Sequence, residues 1–413
     1  MTAELLLPPY RHGLDDYLAQ GGYHVLTAVV AGPDQGQTVL ARTTLSGLGG
    51  AHFPFARKFT AVLDQPAPRA VLCNAAEDEP GSGKDRALLS INPHVVIEGT
   101  LIAAAALHAT DVVFYVSATS TSEMASLTAG LAESGVESLL SDIEVRIVTA
   151  PDRYVAGEAS AAINVVDGGD GKPTGQPPYP SERGIGGRPT LVANAETLAN
   201  LPRIIRAAQR GEDPVWTRLA TVTGGDVVAP GGVYEIRPDV DTFITLIARA
   251  GGLSGDGQLK AVQPGGPSSS FLPADAAGIA VCDADIRSAG SQPGCLAVRV
   301  VASNTCVVEI CEEITDFFAR QQCGQCPPCR MKTQTYQRTV QQVASGKGGS
   351  WELLDKLAHV EEFVIDMPPR KCSLIDMPTP PVDSARSLFP ADFAAHIEHG
   401  RCAANLTATP AAH

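Results

Sequence analysis

The stretch AVLCNAAEDEPGSGKDR at residues 70–86 decides the fold class, because a short apolar strand runs directly into an acidic, glycine-containing loop. Two β-branched and aromatic runs, DVVFYVS at 111–117 and EVRIVT at 144–149, are predicted to be further strands. Helical periodicity at 94–107 and 121–140 separates the three strands. Strands that alternate with helices in this order predict an α/β fold with a parallel sheet.

The flanking regions differ in pattern from this alternation. Residues 1–40 form a short lead-in, 41–212 an α/β domain, 213–285 a small α+β module and 286–413 a helical domain. The Gly- and Pro-rich segment 167–188 is predicted to be a long loop, and loops of that length are usually functional. The remaining predicted elements are strands at 218–223, 232–236 and 259–262, and helices at 195–209, 242–250, 310–321, 330–344, 350–363 and 383–399.

The overall charge limits the class of partner. The formal net charge is -14, whereas nucleic-acid recognition needs clustered basic side chains that outweigh such a field. The start, MTAELLLPPYRHG, has neither the basic region nor the apolar core of an export signal. The longest apolar stretch, around 95–107, is interrupted by Glu98 and is shorter than the roughly 20 residues that span a bilayer. We therefore expect a cytoplasmic protein without a membrane span.

Four of the ten cysteines form a motif. CGQCPPC supplies Cys323, Cys326 and Cys329, and Cys372 follows at a distance. A C-x2-C-x2-C run with one remote cysteine is typical of a [4Fe-4S] cluster, in which each thiolate binds one iron. A structural zinc site, which usually uses two separated C-x2-C pairs, and a metal-free loop remain as alternatives. The other cysteines lack ligand spacing and are expected to be buried or surface thiols: Cys73, Cys282, Cys295, Cys306, Cys311 and Cys402.

A single cluster carries one electron and cannot accept a hydride, so an enzyme built on it needs a two-electron group as well. The loop SGLGGAHFPFARKF is a candidate site for that group. Gly47, Gly49 and Gly50 can close backbone amides around an anion, and Lys58 can neutralise a phosphate. The pattern fits neither the P-loop nor G-x-G-x-x-G, so an ordinary turn stays open. The carboxylates of the acidic loop could likewise belong to a solvated surface.

Taken in order, the motifs resemble one known family. GLGGAHFP, CNAAEDEPGSGKDR, YVAGEAS, KPTGQPPYP, GRPTLVANAETLANLP, CGQCPPCR and KCSLID follow one another between Gly47 and Ile397. This series resembles the flavin-carrying, NADH-oxidising subunit of respiratory complex I and its relatives in NAD-linked hydrogenases and formate dehydrogenases. The resemblance implies a Rossmann-like flavin and nucleotide domain, then a β-grasp module of the soluble-ligand-binding type, then a C-terminal helical bundle that carries the cluster.

The resemblance also implies roles for individual residues. It implies that the FMN phosphate is bound by Gly47, Gly49, Gly50 and Lys58, and that the ribityl chain and ring face Asn74 and Glu77. Tyr154, Gly157 and Glu158 would lie against the isoalloxazine, and Asn194 and Thr197 would complete the pocket. Phe53, Glu79 and Tyr179 fill positions that contact NAD(H) in the family, and Glu79 and Glu158 are the candidate catalytic carboxylates. The cubane cluster is matched by Cys323, Cys326, Cys329 and Cys372.

Several positions depart from the family pattern. Leu48 replaces an Arg, Ala76 an Asp, Ala159 a second Glu, Gln176 a Lys and Ala193 an Asn. The changes at 159 and 176 touch the nicotinamide nucleotide in the family, and each lost polar contact weakens binding by about 1–3 kcal/mol if it is desolvated. The flavin site is less affected, since backbone donors of a glycine loop do not depend on the missing side chains.

The sequence therefore predicts an NADH dehydrogenase or diaphorase-type subunit. It would pass electrons from a reduced nicotinamide through FMN to a [4Fe-4S] cluster and on to a ferredoxin or a larger redox complex. The sequence contains no further C-x2-C run for a second cluster, so a partner chain and hence a hetero-oligomer are expected. NADPH, a deazaflavin or reverse flow from a ferredoxin are alternative donors. A non-catalytic subunit that has lost NADH binding is the alternative function.

Overall fold

The alternation of strands and helices after residue 69 produces a four-stranded parallel sheet. The computed structural model describes residues 5–135 and 142–402. The sheet consists of β1 (Arg69–Ala75), β2 (Ala109–Ser117), β3 (Glu144–Ala150) and β4 (Thr190–Asn194), in the order β3–β2–β1–β4. All neighbouring pairs are parallel. The three predicted strands are confirmed, and β4 was not predicted.

The strand order creates a topological switch point. From β1 the chain moves to one side to form β2 and β3, and later returns to the other side of β1 to form β4. The carboxyl ends of β1 and β4 therefore lie side by side at the switch point. Ligands of open α/β sheets bind outside the carboxyl ends of the strands at such a point.

Ten helices of the described residues belong to this part of the chain. They are α1 (Leu14–Ala19), α2 (His24–Ala31), α3 (Pro33–Leu40), α4 (Phe55–Leu63), α5 (Lys84–Ile91), α6 (Pro93–Leu107), α7 (Thr121–Ser134), α8 (Ala159–Val166), α9 (Ala195–Ala199) and α10 (Leu201–Arg210). The lead-in of residues 1–40 thus contains three helices. The long loop at 167–188 is confirmed, apart from a 3-10 turn at Ile185–Gly187.

The sheet is covered on both faces because its side chains alternate. Val71 and Cys73 of β1 join the core that contains α6, whereas Ala70 and Leu72 join the opposite core that contains residues of α8. Strands buried on both faces are expected to contain long apolar runs, and β1 and β2 contain AVLC at 70–73 and VVFYV at 112–116. This explains why they could be recognised from sequence.

Helix α6 lies at the centre of the larger core, and nearly all its side chains are buried. A Cβ on Gly99 would lie 1.9 Å from the Leu198 carbonyl oxygen, so only glycine permits this approach of α6 to α9. Glu98 is buried in the same helix, where the Tyr17 hydroxyl and the Leu26 amide donate to its carboxylate. Burial raises the pKa of Glu98.

Two predicted helices of this region differ from the observed ones. The helix expected at 195–209 is divided between α9 and α10 at Asn200, and Pro202 occupies the first turn of α10, where the missing amide costs least. The helix expected at 121–140 ends at Ser134, because Gly135 adopts the left-handed conformation. Residues 136–140 of that prediction lie outside the described residues.

A second sheet follows, with strands β5 (Arg218–Thr223), β6 (Gly232–Ile236), β7 (Leu259–Gln263), β8 (Leu272–Pro273) and β9 (Ala297–Ala302). β5 pairs with β9 in parallel, and β7 pairs with β9 and β8 in antiparallel orientation. The predicted strands at 218–223, 232–236 and 259–262 are confirmed. β9 was not predicted, and it lies beyond residue 285. The β-grasp assignment and the four domain limits stay predictions.

The helices of the second part are α11 (Phe243–Arg249), α12 (Asp283–Ser288), α13 (Val307–Gln321), α14 (Pro327–Ala344), α15 (Trp351–Val364), α16 (Thr379–Leu388) and α17 (Pro390–His399). The helical C-terminal region is thus confirmed. The prediction of one helix at 383–399 is wrong, because Pro390 cannot continue the hydrogen bonding of α16 and begins α17 instead.

The chain forms two compact units. The first comprises Met1–Asp78, Ser82–Ala220 and Val233–Arg237, and the second Glu79–Gly81, Thr221–Gly232 and Pro238–His413. Among the described residues, no single helix is long and apolar enough to cross a bilayer, and only α5 and α6 together, bent by 101°, satisfy the length and composition.

Candidate functional site

The carboxyl ends of β1 and β4 meet at two asparagines. Asn74 and Asn194 are register partners at the ends of the two strands. Asn194 Nδ2 donates to the Asn74 carbonyl oxygen at 3.2 Å, and Asn74 Nδ2 donates to the Gly157 carbonyl oxygen at 2.8 Å. The second bond attaches the 3-10 turn Tyr154–Gly157 to the sheet edge. Four predicted flavin-site residues are thereby brought to the switch point.

The glycine loop is docked on the same edge. The Leu48 amide donates to Thr197 Oγ1 at 2.8 Å. A Cβ on Gly49 would lie 2.9 Å from the Cβ of Asn194, so this backbone contact requires glycine. The hydrogen bonds that hold the loop start from backbone amides, and the Leu48 side chain is buried rather than presented to a ligand.

The rest of the loop turns back toward its start. The Gly47 amide donates to the Phe53 carbonyl oxygen at 2.9 Å, and Gly50 has φ of 108°, a conformation that favours glycine. Helix α4 then begins at Phe55. Lys58 Nζ donates to the Val192 carbonyl oxygen at 3.4 Å. Burial lowers the pKa of Lys58, and the nearby Glu158 carboxylate opposes that shift.

A buried ion network supports this edge. Lys84 Nζ lies 2.8 Å from Asp85 Oδ1, 3.1 Å from Glu196 Oε2 and 3.0 Å from Asn194 Oδ1. Asn194 Nδ2 in turn donates to Asp85 Oδ2 at 2.7 Å. Lys84, Asp85 and Glu196 were not predicted from the sequence. The only signal was a Lys-Asp pair at the junction between the glycine-containing loop and an apolar helix.

Glu77 is buried, which excludes the solvated-surface interpretation for this carboxylate. It accepts hydrogen bonds from the amides of Asp85 and Arg86 at 3.1 and 3.0 Å, and from Ser82 Oγ at 2.5 Å. Burial and the Asp85 carboxylate raise the pKa of Glu77. These contacts place the carboxylate over the N-terminus of α5, where it satisfies amides that lack helical partners.

Glu158 occupies the equivalent position at α8. Its carboxylate accepts from the amides of Ser160 and Ala161 at 2.8 and 3.2 Å, and from the Ser160 hydroxyl. Glu158 is therefore the N-cap of α8. Ala159 is the first residue of this helix.

The three residues predicted to contact the nucleotide, Phe53, Glu79 and Tyr179, are divided between the two units. Phe53 and Tyr179 are 42% and 53% exposed, so both rings are accessible to a ligand. The Arg57 guanidinium lies 5.2 Å from the Phe53 ring centre. Glu79 belongs to the second unit, where a Cβ on Gly266 would lie 2.6 Å from Glu79 Oε1. The structure thus brings together the predicted flavin residues in one unit but places Glu79 in the other.

The four cysteines of the motif converge in the second unit. Cys323 and Cys326 lie between α13 and α14, and Cys329 lies in the first turn of α14 after Pro327 and Pro328. Burial raises the pKa of Cys329 to about 12, and the thiols of Cys372, Cys326 and Cys323 contribute to the increase. This electrostatic influence indicates that Cys372 lies near Cys329, although it is remote in sequence.

The donor set fits a [4Fe-4S] cluster. It offers four thiols and a helix N-terminus, which favours thiolates. Cys326 is buried and the other three are partly exposed. The sheet edge likewise fits a flavin phosphate, since the glycine loop supplies backbone amides and α4 supplies a lysine.

Comparisons with known proteins agree with this geometry. Residues 40–203 match the Nuo51 FMN-binding domain, and residues 309–396 match the NADH-ubiquinone oxidoreductase-F iron-sulfur binding region. The F subunit of NADH-quinone oxidoreductase in Aquifex aeolicus is 30% identical over 84% of this chain and 84% of its own length. The NADP-reducing hydrogenase subunit HndC of Solidesulfovibrio fructosivorans is 28% identical over 95% and 82%.

A solved structure shows the same relationship. The NAD+-reducing [NiFe]-hydrogenase in its H2-reduced state matches with a TM-score of 0.81 and 28% identity, over 94% of this chain and 68% of that one. The predicted resemblance, the α/β fold and the FMN and [4Fe-4S] cofactors are confirmed. The chain belongs to the family of NADH-quinone oxidoreductase F subunits, and it carries the FMN-binding domain and the iron-sulfur region of that family in the same order.

Proposed function

We propose that this chain oxidises a reduced nicotinamide, with NADH as its donor, and delivers single electrons to a protein acceptor. The proposal rests on two features that one chain combines. One is a sheet edge whose glycine loop and lysine suit a phosphate, and the other is a set of four converging cysteine thiols. FMN supplies the two-electron group and the cluster supplies the one-electron carrier when both are bound. The relatives described above are named for NADH, NADP or NAD+, which supports a nicotinamide donor.

The flavin site is proposed to consist of the residues at the switch point. The glycine loop at Gly47, Gly49 and Gly50, with Lys58, would bind the phosphate. Since the Gly47 amide donates to Phe53, the backbone donors would be the amides of Gly49 and Gly50. The remaining contacts would come from Asn74, Glu77, Tyr154, Gly157, Glu158, Asn194 and Thr197. The network around Lys84 supports this assignment because it fixes Asn194, on which the glycine loop is seated. Both asparagine side chains are engaged with the protein, so they orient the pocket wall.

The nucleotide would be held by Phe53, Glu79 and Tyr179, with Glu79 and Glu158 as the catalytic carboxylates. Two exposed aromatic rings support stacking on a planar ligand. The carboxylate of Glu158 caps α8 and influences Lys58, so its contribution includes orienting that helix and opposing the loss of charge on the lysine. The cluster is proposed to be bound by Cys323, Cys326, Cys329 and Cys372.

The acceptor is proposed to be a ferredoxin or a larger redox complex, in a cytoplasmic hetero-oligomer. Several relatives are named as subunits, which supports association with other chains. A second candidate function is a non-catalytic subunit that has kept the fold and the cluster but has lost flavin chemistry and NADH binding. It is favoured by Ala159 and Gln176, which remove two polar contacts of the family.

Acid extraction of anaerobically purified protein separates the two functions. The proposed function predicts about one FMN and about four irons per chain, since a cubane contains four irons. Iron without flavin would contradict the flavin site and support the second candidate. Zinc in place of iron at the CGQCPPC motif would contradict both and favour a structural zinc protein.

A further inference from the structure

A second group of metal-binding side chains lies in the second unit, apart from the CGQCPPC motif. Cys306 immediately precedes α13, His396 lies on α17 and Cys402 follows that helix. The three ligand atoms lie within 4.8 Å of one another. Their residues are 4%, 2% and 4% exposed, respectively. We propose that Cys306, His396 and Cys402 bind a zinc ion that fastens the C-terminal helices together.

The distances suit a small ion rather than a cluster. Cys306 Sγ lies 3.1 Å from His396 Nε2. In a tetrahedral zinc site, bonds of about 2.3 Å to sulfur and about 2.0 Å to nitrogen separate neighbouring ligand atoms by roughly 3.5 Å. The three atoms are therefore already near the spacing that zinc needs, and only small movements are required. The structure assigns three of the four tetrahedral ligands.

The histidine is held in the orientation that a ligand requires. His396 Nδ1 lies 2.8 Å from the Ala344 carbonyl oxygen. A carbonyl can only accept, so Nδ1 carries the proton and Nε2 presents its lone pair toward Cys306. Metal-binding histidines are commonly fixed by such a bond from the other ring nitrogen.

The charges also balance. Two thiolates and one dication form a neutral group, which can be buried at much lower cost than separate charges. The N-terminus of α13, next to Cys306, favours the negative sulfur. Binding would release one proton from each thiol. Two soft sulfur ligands and one imidazole are typical of zinc and unsuited to magnesium or calcium.

The position of the site indicates a structural role. Ala344 is the last residue of α14, and the first turn of that helix carries Cys329. One ion would thus connect the start of α13, the end of α14, helix α17 and the segment that follows it. The same helices hold the CGQCPPC motif, so zinc binding would stabilise the surroundings of the cluster without being part of it.

The test is metal analysis of the full-length holoprotein, combined with X-ray absorption at the zinc edge, which iron does not obscure. We expect about one zinc beside about four irons per chain, with a shell of two sulfurs and at least one imidazole nitrogen. Absence of zinc from iron-replete protein grown with zinc would overturn the proposal. So would a shell of four sulfurs, or a disulfide between Cys306 and Cys402 in the intact protein.

Variants locate the ion. Cys402→Ser and His396→Gln should lower zinc to below about a tenth of the wild-type content while iron stays near four per chain. Cys311→Ser is the matched control, because Cys311 is a fully buried thiol on α13 outside the group, and its zinc should be unchanged. A zinc content in Cys402→Ser and His396→Gln equal to that of the Cys311→Ser control would overturn the assignment of the ligands. The absorption spectrum of the wild-type protein decides the matter even if a variant fails to fold.

Discussion

The sheet edge and the cysteine loop differ in how their charged or ionisable groups are stabilised in the absence of a ligand. At the sheet edge, Lys84 and Glu196 are each 1% exposed and pair with each other, and Lys84 also contacts Asn194. In the cysteine loop, three of the four motif thiols are partly exposed, and burial together with its neighbours disfavours the charged form of Cys329. The charged groups of the sheet edge are thus paired with other protein groups. The cysteine loop, in contrast, contains ligands whose ionised form needs a metal.

This difference indicates which of the two regions depends on its cofactor for its structure. The sheet edge should keep its structure when FMN is removed, because its ion pairs do not involve the flavin. The cysteine loop should lose order when iron is removed, because the bonds from iron to the four sulfurs are what would hold Cys372 against Cys323, Cys326 and Cys329. The following predictions test this contrast.

The largest effect is expected from removing one cluster ligand. Cys329→Ser should reduce iron from about four to near zero per chain, because each iron of a cubane needs its own thiolate. FMN should remain bound. Iron, acid-labile sulfide and flavin are measured on the same anaerobic sample. Cys282→Ser is the control, since this partly exposed thiol lies outside the motif. Retention of four irons in Cys329→Ser would exclude the proposed ligand set.

The next effect concerns the buried lysine. Lys84→Met leaves the carboxylates of Asp85 and Glu196 buried without their cation, which should destabilise the fold by about 3–5 kcal/mol. Urea unfolding measures the change. Lys172→Met is the control, because its partner Asp170 is exposed and solvent screens such a pair, so little change in stability is expected. Similar unfolding free energies for the two variants would show that the sheet edge is not held by this network.

A smaller effect is expected at the glycine loop. Gly49→Ala introduces a Cβ 2.9 Å from that of Asn194, and overpacking of this kind costs about 1–3 kcal/mol. If the loop shifts, FMN affinity should fall by roughly tenfold, which is about 1.4 kcal/mol. Flavin fluorescence during dilution measures the loss. Gly225→Ala is the control, since its Cβ would meet no atom within 4 Å. An unchanged affinity in Gly49→Ala would remove the loop from the flavin site.

The smallest effect is expected at Glu98, which allows a comparison with Glu196, the carboxylate that is paired with Lys84. Glu98 is buried like Glu196, but it is held by a tyrosine hydroxyl and a backbone amide. Burial raises its folded-state pKa above the unfolded value of about 4.3. The folded state then binds more protons than the unfolded state, so the stability from Glu98 is greatest at low pH and falls as pH rises through the raised pKa.

Glu98→Gln should therefore flatten the pH dependence of the unfolding free energy above about pH 4.3. Urea unfolding at several pH values measures the slope. The Glu123→Gln variant serves as a control on a helix that faces solvent. An identical slope in wild type and Glu98→Gln would show that this carboxyl does not titrate differently in the folded protein.

Much of the fold could be predicted from sequence because the signals were local. β1 and β2 each contain an uninterrupted apolar run, and the CGQCPPC run carries its ligand spacing within seven residues. β4 escaped prediction because TLVAN is short and is followed at once by a helix. The breaks at Asn200 and Phe389 were missed because apolar periodicity continues across them, although the prolines that follow cannot extend a helix.

The site was predicted unevenly for the same reason. The glycine loop was proposed from its own residues and the asparagines through the family resemblance, whereas Lys84 and Glu196 meet only when β1 and β4 become neighbours. Cys306, His396 and Cys402 are likewise brought together by the packing of helices. Groups that depend on tertiary contacts leave no spacing for a sequence pattern to detect.

An anaerobic absorbance titration with NADH measures whether this nucleotide reduces the flavin and the cluster. Holoprotein that contains FMN and iron is titrated with NADH, and in parallel with NADPH, while the flavin and iron-sulfur bands are recorded together. We predict that NADH bleaches both bands, and that Cys329→Ser protein loses only the iron-sulfur part of the change. Holoprotein whose bands are bleached by a chemical reductant but by neither nicotinamide would contradict the account, and would leave the chain as an electron-transfer subunit with another donor.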